Sequence, residues 1–137
     1  MQASILLGLT ALTSALAGCG GGAGESDFDR YRQAVDQANQ AEATARTLGV
    51  PSPCQQDKQC AVLTFLEPTA CPTQTYQVYS SVSATAVAAA DAASQQVKLA
   101  QHAIALNPSP PQPCPLLPVK APPVPVCIAS LCQPVMS

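Results

Sequence analysis

The seven cysteines are the residues whose type and spacing could carry chemistry in this 137-residue chain. None of them forms a C-x-x-C pair, the arrangement found in thioredoxin-like redox centres. Zinc sites use closely spaced cysteine and histidine ligands, and the sequence holds a single histidine, His102. We therefore predict no metal site and assign six cysteines to structural disulfides: Cys54, Cys60, Cys71, Cys114, Cys127 and Cys132.

Six cysteines can pair in fifteen ways, so the connectivity must be inferred from the elements between them. We expect Cys71 to bond to Cys114, because this pair would join the two ends of the longest helical region. The remaining four lie in two short segments, 54–60 and 127–132. If these segments run antiparallel, the disulfides are nested as Cys54–Cys132 and Cys60–Cys127.

The sequence contains no complete set of residues for catalysis by an acid, a base or a nucleophile. His102 follows polar neighbours on a helical pattern, which is typical of a solvated surface histidine. Asp57 and Glu67 flank a candidate strand at opposite ends, and no G-x-S-x-G motif is present. We predict no enzyme activity, no cofactor and no small-molecule substrate.

The charge distribution argues against a nucleic-acid partner. The formal net charge is −2, and the six basic residues are scattered along the chain. A protein that binds phosphates needs a basic patch or stripe, which this pattern does not supply.

The N-terminal residues indicate export and attachment to a membrane. Residues 5–12 form an uncharged, largely apolar run of signal-peptide length, too short to span a bilayer as a helix. The motif Leu16-Ala17-Gly18-Cys19 that follows resembles the lipobox of bacterial lipoproteins. The resemblance implies a signal peptide at residues 1–18, cleavage before Cys19, and a lipid on the Cys19 thiol. The alternative is an ordinary secretory signal that is cut elsewhere, with Cys19 a plain cysteine.

The cysteine count agrees with this resemblance. Assigning Cys19 to the lipid converts an odd set of seven into six, which an oxidising compartment can pair completely. Residues 19–25 are glycine-rich and suit a flexible lipidated tether. Gly20 follows Cys19 at the position where, by the family's sorting rule, an Asp would favour the inner membrane, so the resemblance implies the outer membrane if the organism has two. We expect the domain to face the periplasm; the cell surface is the alternative.

Residues 26–137 are then one small domain, for which hydrophobic periodicity predicts two alanine-rich helices. The first begins after Ser26, a capping residue, and ends at Gly49. Its apolar stripe runs from Phe28 to Leu48. The second begins at Ser81 or Ser83 and continues to about Leu106, with one face formed by Val87, Ala90, Ala93, Val97, Ala100 and Ile104.

Strands and a proline-rich crossover complete the prediction. Residues 60–66 read as a strand, 76–79 as either extended or the entry to a helix, and 124–132 as a strand or short hairpin. Residues 108–125 contain nine prolines in four P-x-x-P patterns. These could bind an aromatic-lined groove, but we favour a stiff return path that carries Cys114 and Cys127 back to the body.

Together these features predict an α+β domain in which two helices cover a small antiparallel sheet of two or three strands, stabilised by three disulfides. The function expected is a lipid-anchored cell-envelope protein with a non-catalytic binding or structural role. Its partners would be the membrane, through Cys19, and an envelope protein. The alternative is an envelope-tethered inhibitor of an external hydrolase, a protease or lysozyme. It would present the Cys54–Cys60 or Leu66–Thr75 loop, because rigid loops lose little entropy on binding.

Overall fold

The computed structural model describes residues 24–116 and 118–136, and its architecture is the predicted α+β fold. The described residues form two long helices, a short 3-10 turn at Asp57–Gln59 and four strands. In chain order the helices and strands are α1 (Asp27–Leu48), β1 (Cys60–Leu66), β2 (Gln74–Ser80), α2 (Ala86–Leu106), β3 (Val124–Ile128) and β4 (Leu131–Val135).

The strands form two separate antiparallel sheets, where the sequence analysis expected one. Strand β1 pairs with β2, and β3 pairs with β4 as a hairpin. Because neighbouring strand residues point to opposite faces, β1–β2 contributes to two layers of core. Leu63 and Phe65 face the helices, whereas Cys60 and Val78 face the β3–β4 hairpin. The domain therefore has three layers, with β1–β2 in the middle.

Helix α1 has the boundaries that its sequence predicts. Ser26 is the N-cap, and its hydroxyl accepts a hydrogen bond from the Asp29 N–H at 3.1 Å. Gly49 ends the helix, with its N–H donating to the Ala45 carbonyl at 2.9 Å. A β-carbon on Gly49 would lie 2.7 Å from Nε2 of Gln77, so a larger residue here would displace that side chain from its contact with the Arg46 carbonyl.

The interface between the helices is made of alanine, and this corrects the predicted apolar faces. The large residues at the ends of the predicted stripes, Phe28 and Val87, are 54% and 75% exposed. Close packing of two helices admits small side chains at the line of contact and moves larger ones to its flanks. The buried positions are Ala34, Ala38 and Ala45 of α1 and Ala86, Ala89, Ala93, Gln96, Ala100 and Ala103 of α2.

Helix α2 starts later than the predicted Ser81 or Ser83, at Ala86. The reason is that the β1–β2 ladder continues through these residues. Ser80 is still paired with Cys60, and the Ser81 N–H donates to the Gln59 carbonyl at 2.8 Å. The segment 76–79, for which the sequence left two conformations open, is therefore extended.

Arg46, in the last turn of α1, fastens this helix to the sheet. Its guanidinium lies 4.3 Å from the centre of the Phe65 ring, donates to the Thr75 hydroxyl at 3.1 Å, and pairs with Glu42 at 2.7 Å. Gln77 completes the contact by donating to the Arg46 carbonyl at 3.0 Å. The first helix is thus firmly docked.

Within residues 24–116 and 118–136, no helix has the length and apolar character needed to cross a bilayer. The predicted signal peptide, Cys19 and most of the predicted tether lie outside the described residues.

Candidate binding surfaces

Three disulfides are present, and they use the six predicted cysteines. Their Cα–Cα distances lie between 5.4 and 5.9 Å, within the normal range. The predicted pair Cys71–Cys114 is confirmed. The nested pairs are wrong, because the structure joins Cys54 to Cys127 and Cys60 to Cys132.

The hairpin explains the difference in pairing. Cys127 and Cys132 lie directly opposite each other on β3 and β4, joined by a two-residue turn. Ala129 and Ser130 in this turn both have positive φ, 50° and 62°, as a tight hairpin turn requires. The two cysteines are therefore side by side, and do not occupy the ends of one extended segment. Cys127 bonds to Cys54, and Cys132 bonds to Cys60.

The Cys54–Cys60 loop is held rigid at both ends. Besides the two disulfides, the Cys54 N–H donates to the Ser130 carbonyl at 3.0 Å, and the Cys132 N–H donates to the Ser52 carbonyl at 2.9 Å. Asp57 accepts the Cys127 N–H at 2.8 Å. The middle of the loop, 55–58, is exposed. It forms a short, covalently fixed surface of mixed charge.

The sulfur atoms of Cys54, Cys60 and Cys132 lie within 4.8 Å of one another and are buried. This cluster arises because two disulfides stack against the sheet. Sulfur in a disulfide carries no thiolate charge and is a poor metal ligand. In the oxidised state the cluster is a cross-linked core.

The Leu66–Thr75 loop and the proline-rich segment line a cavity of about 690 Å³. The Cys71–Cys114 disulfide joins the two walls, and the Tyr76 hydroxyl donates to the Lys120 carbonyl at 3.1 Å. Pro115 and Pro118 line one side. These contacts agree with the predicted return path, whose last two residues, Val124 and Pro125, already belong to β3.

The carboxylates and the histidine do not meet. Asp57 lies before β1 and Glu67 after it, so a seven-residue strand separates them, roughly 20 Å. The Glu67 carboxylate accepts a hydrogen bond from the Thr73 hydroxyl. His102 is exposed on α2. The Asp29 carboxyl has its pKa lowered, chiefly by the hydrogen bond from the Ser26 hydroxyl and then by the bond to the Ser26 backbone.

Sequence reasoning missed one surface, a shallow groove between β1 and α2. It has a volume of about 460 Å³ and lies beside the edge of β1 that β2 does not cover. Gln96 of α2, fully buried, reaches the end of this edge and bonds to the backbone of Leu66. The only sequence signal for Gln96 is its spacing of three and four residues from Ala93 and Ala100.

Comparison of the chain with protein families, curated proteins and solved structures finds no match.

Proposed function

We propose that this chain is a lipid-anchored protein of the bacterial cell envelope that acts by binding or by structural support. The observation that carries the proposal is the complete pairing of the six cysteines after Cys19. Because each of these bonds to another of the six, none of them is left to pair with Cys19. Its place in Leu16-Ala17-Gly18-Cys19, at the end of an apolar run, suits modification by lipid.

The disulfides support a location outside the cytoplasm. Disulfides form and persist in oxidising surroundings and are rare in cytosolic proteins. A single acyl chain binds a membrane weakly and reversibly, whereas the lipoprotein modification supplies at least two chains. The proposed location is the outer membrane, with the domain facing the periplasm. The cell surface is the alternative.

A binding role fits the surfaces of the domain better than catalysis. The groove beside β1 and the exposed loops offer shape and hydrogen bonds, whereas the acidic residues at the ends of β1 are far apart. The proposed partner is therefore another envelope protein. The membrane is the second partner, through Cys19.

The experiment is a comparison of Cys19→Ser with the native chain in a bacterial host. We expect the native mature chain to begin at Cys19, to carry the mass of a diacylglycerol and to sediment with membranes. Cys19→Ser should lose the diacylglycerol mass and the sedimentation with membranes. The control is the double variant Cys71→Ser/Cys114→Ser, which replaces cysteines elsewhere in the chain and should stay lipidated. Membrane attachment of Cys19→Ser equal to that of the native chain contradicts the proposal.

A second function, inhibition of an external protease or lysozyme, is favoured by one feature. The Cys54–Cys60 loop is exposed and is fixed at both ends by disulfides to the same hairpin. Such a loop would lose little freedom on entering an active-site cleft. The test is inhibition of a panel of proteases and lysozymes by the purified chain, compared with the variant Gln56→Gly/Lys58→Gly. Absence of inhibition by the native chain removes this candidate.

A further inference from the structure

One edge of β1 carries backbone hydrogen-bonding groups that β2 does not use. In this ladder the odd-numbered residues bond to β2, as shown by the flanking bonds from Ser81 N–H to the Gln59 carbonyl and from Glu67 N–H to the Thr73 carbonyl. The even-numbered residues of β1 therefore direct their N–H and C=O groups away from β2. Among the described residues, no strand lies on that side.

Gln96 closes one end of this edge. Its side-chain amide accepts the Leu66 N–H at 3.0 Å and donates to the Leu66 carbonyl at 2.7 Å, as a neighbouring strand would. The part left open is at Val62 and Thr64, which present two N–H groups and two carbonyl groups at the two-residue spacing of a strand. The pattern matches an extended backbone and no other regular structure.

The groove beside this edge has a volume of about 460 Å³ and is lined by residues of β1 and α2. Helix α2 forms its far wall, with Ala90, Ser94 and Val97 next to the opening. Ala90 and Ser94 have short side chains, which leaves room for a backbone at the usual distance of about 4.8 Å from β1. Side chains of such a segment would contact Val97 on one side, so small aliphatic residues fit best.

The charge of the groove adds a second requirement. Lys98 is the one charged side chain on its walls, and no carboxylate of the described residues lies within ion-pair distance of it. An extended segment that carries a carboxylate would pair with this ammonium group. A second copy of this chain fits less well, because pairing two β1 edges brings together two grooves that each hold a lysine and no carboxylate.

We propose that the groove between β1 and α2 binds an extended, acidic segment of a partner protein as a third strand on β1. Main-chain bonds to Val62 and Thr64 supply the register, and Lys98 selects the acidic residue. This proposal names the partner class for the binding role proposed above and rests on that role.

The experiment uses the full chain, purified in detergent, and a defined peptide pool. The pool contains acetylated octapeptides in which Val or Thr alternates with Ala, Ser, Asp or Glu. We expect the chain to retain acidic members selectively. Amide hydrogen exchange, followed by NMR, should show slower exchange at Val62 and Thr64 with the retained peptide bound. The amide of Leu66, already bonded to Gln96, should change little.

Two variants keep the test independent of folding. Ser94→Trp fills the groove from an exposed helix position, and we expect retention to fall by at least about tenfold through steric exclusion. His102→Trp adds the same bulk at another exposed position of α2 and should bind as the native chain does. Lys98→Gln should weaken retention of the acidic peptides by about threefold, the effect of a partly exposed ion pair.

Each other outcome overturns the proposal. Retention of no peptide, retention that Ser94→Trp does not change, or protection of amides other than Val62 and Thr64 excludes strand addition at this edge. Concentration-dependent protection of Val62 and Thr64 without peptide, together with a doubled mass, assigns the edge to a second copy instead. None of these results bears on Cys19, so failure here is distinct from failure of the lipid anchor.

Discussion

The two faces of the β1–β2 sheet are covered by different means. On one face, alanine-rich helices pack closely around Leu63 and Phe65, which are almost fully buried. On the other, a hairpin of two five-residue strands is attached, and most of its large apolar side chains are 42–49% exposed. The helical face is stabilised by its buried apolar area and by close packing of its side chains. The hairpin buries too little apolar area to be stabilised in this way, and two disulfides hold it in place.

This difference shows how a chain with few large side chains keeps three layers together. An isolated two-stranded hairpin is marginal in water, and β3–β4 gains only the small buried cluster around Cys60, Val78 and Cys132. Two disulfides restrict the unfolded chain in the place of a larger core. The predictions below change one face at a time.

The largest effect is expected from removing both hairpin disulfides. The variant with Cys54, Cys60, Cys127 and Cys132 changed to alanine should lose about 2–4 kcal/mol of unfolding free energy per disulfide. The amides of β3 and β4 should then exchange fastest. Urea denaturation and hydrogen exchange measure both effects. Cys71→Ala/Cys114→Ala is the control, and it should leave the exchange of the hairpin amides slow; a hairpin still protected in the fourfold variant would mean that packing alone holds this layer.

On the helical face, Phe65→Ala should be the most damaging single change. The ring is fully buried between α1 and α2 and lies under the Arg46 guanidinium. Its removal should cost about 3–5 kcal/mol, the sum of lost burial and an unfilled cavity. Phe28→Ala is the matched control, because Phe28 is 54% exposed. Equal shifts of the urea midpoint for the two variants would show that the helical face has no tight core.

Gln96→Leu tests the polar contact between the layers. Leucine has a similar volume but leaves the Leu66 N–H and carbonyl without their partner, which should cost about 1–3 kcal/mol. Gln95→Leu, one residue away and exposed, should have little effect on thermal unfolding. A free energy of unfolding equal to that of the native chain would mean that water replaces the Gln96 side-chain amide as the partner of Leu66.

The smallest effect concerns the start of α1. Ser26→Ala removes the hydroxyl that lowers the pKa of Asp29, so this pKa should rise toward its ordinary value. In the native chain the folded-state pKa is the lower one. The contact therefore stabilises α1 above the unfolded-state pKa and is lost as the pH falls through the folded-state value. An NMR titration of the Asp29 carboxyl measures this, and Ser26→Thr should retain the lowered pKa. An unchanged pKa in Ser26→Ala would assign the shift to another group.

Local signals predicted much of this fold. The cap at Ser26, the end of α1 at Gly49 and the strand at 60–66 follow from residue types and near neighbours, and all three are confirmed. The Cys71–Cys114 disulfide was also predictable, because a helix and a proline-rich return path leave few other ways to join those segments.

The features that failed depend on contacts between distant segments. The tight turn at Ala129 and Ser130 contains no glycine or asparagine, so the sequence left a strand and a short hairpin both open and did not place Cys127 opposite Cys132. The groove beside β1 could not be predicted either, because it also depends on contacts between distant segments. Which edge of a strand remains open depends on the tertiary placement of Gln96, a residue type that is usually exposed.

The amide of Gln96 also limits the pairing of copies of this chain along the free edge of β1. Fibrils grow when six or seven consecutive residues offer an uninterrupted template to the next molecule. By occupying the Leu66 end of β1, this side chain leaves a template of only Val62 and Thr64. The two residues that remain are too few to template the addition of successive copies along this edge.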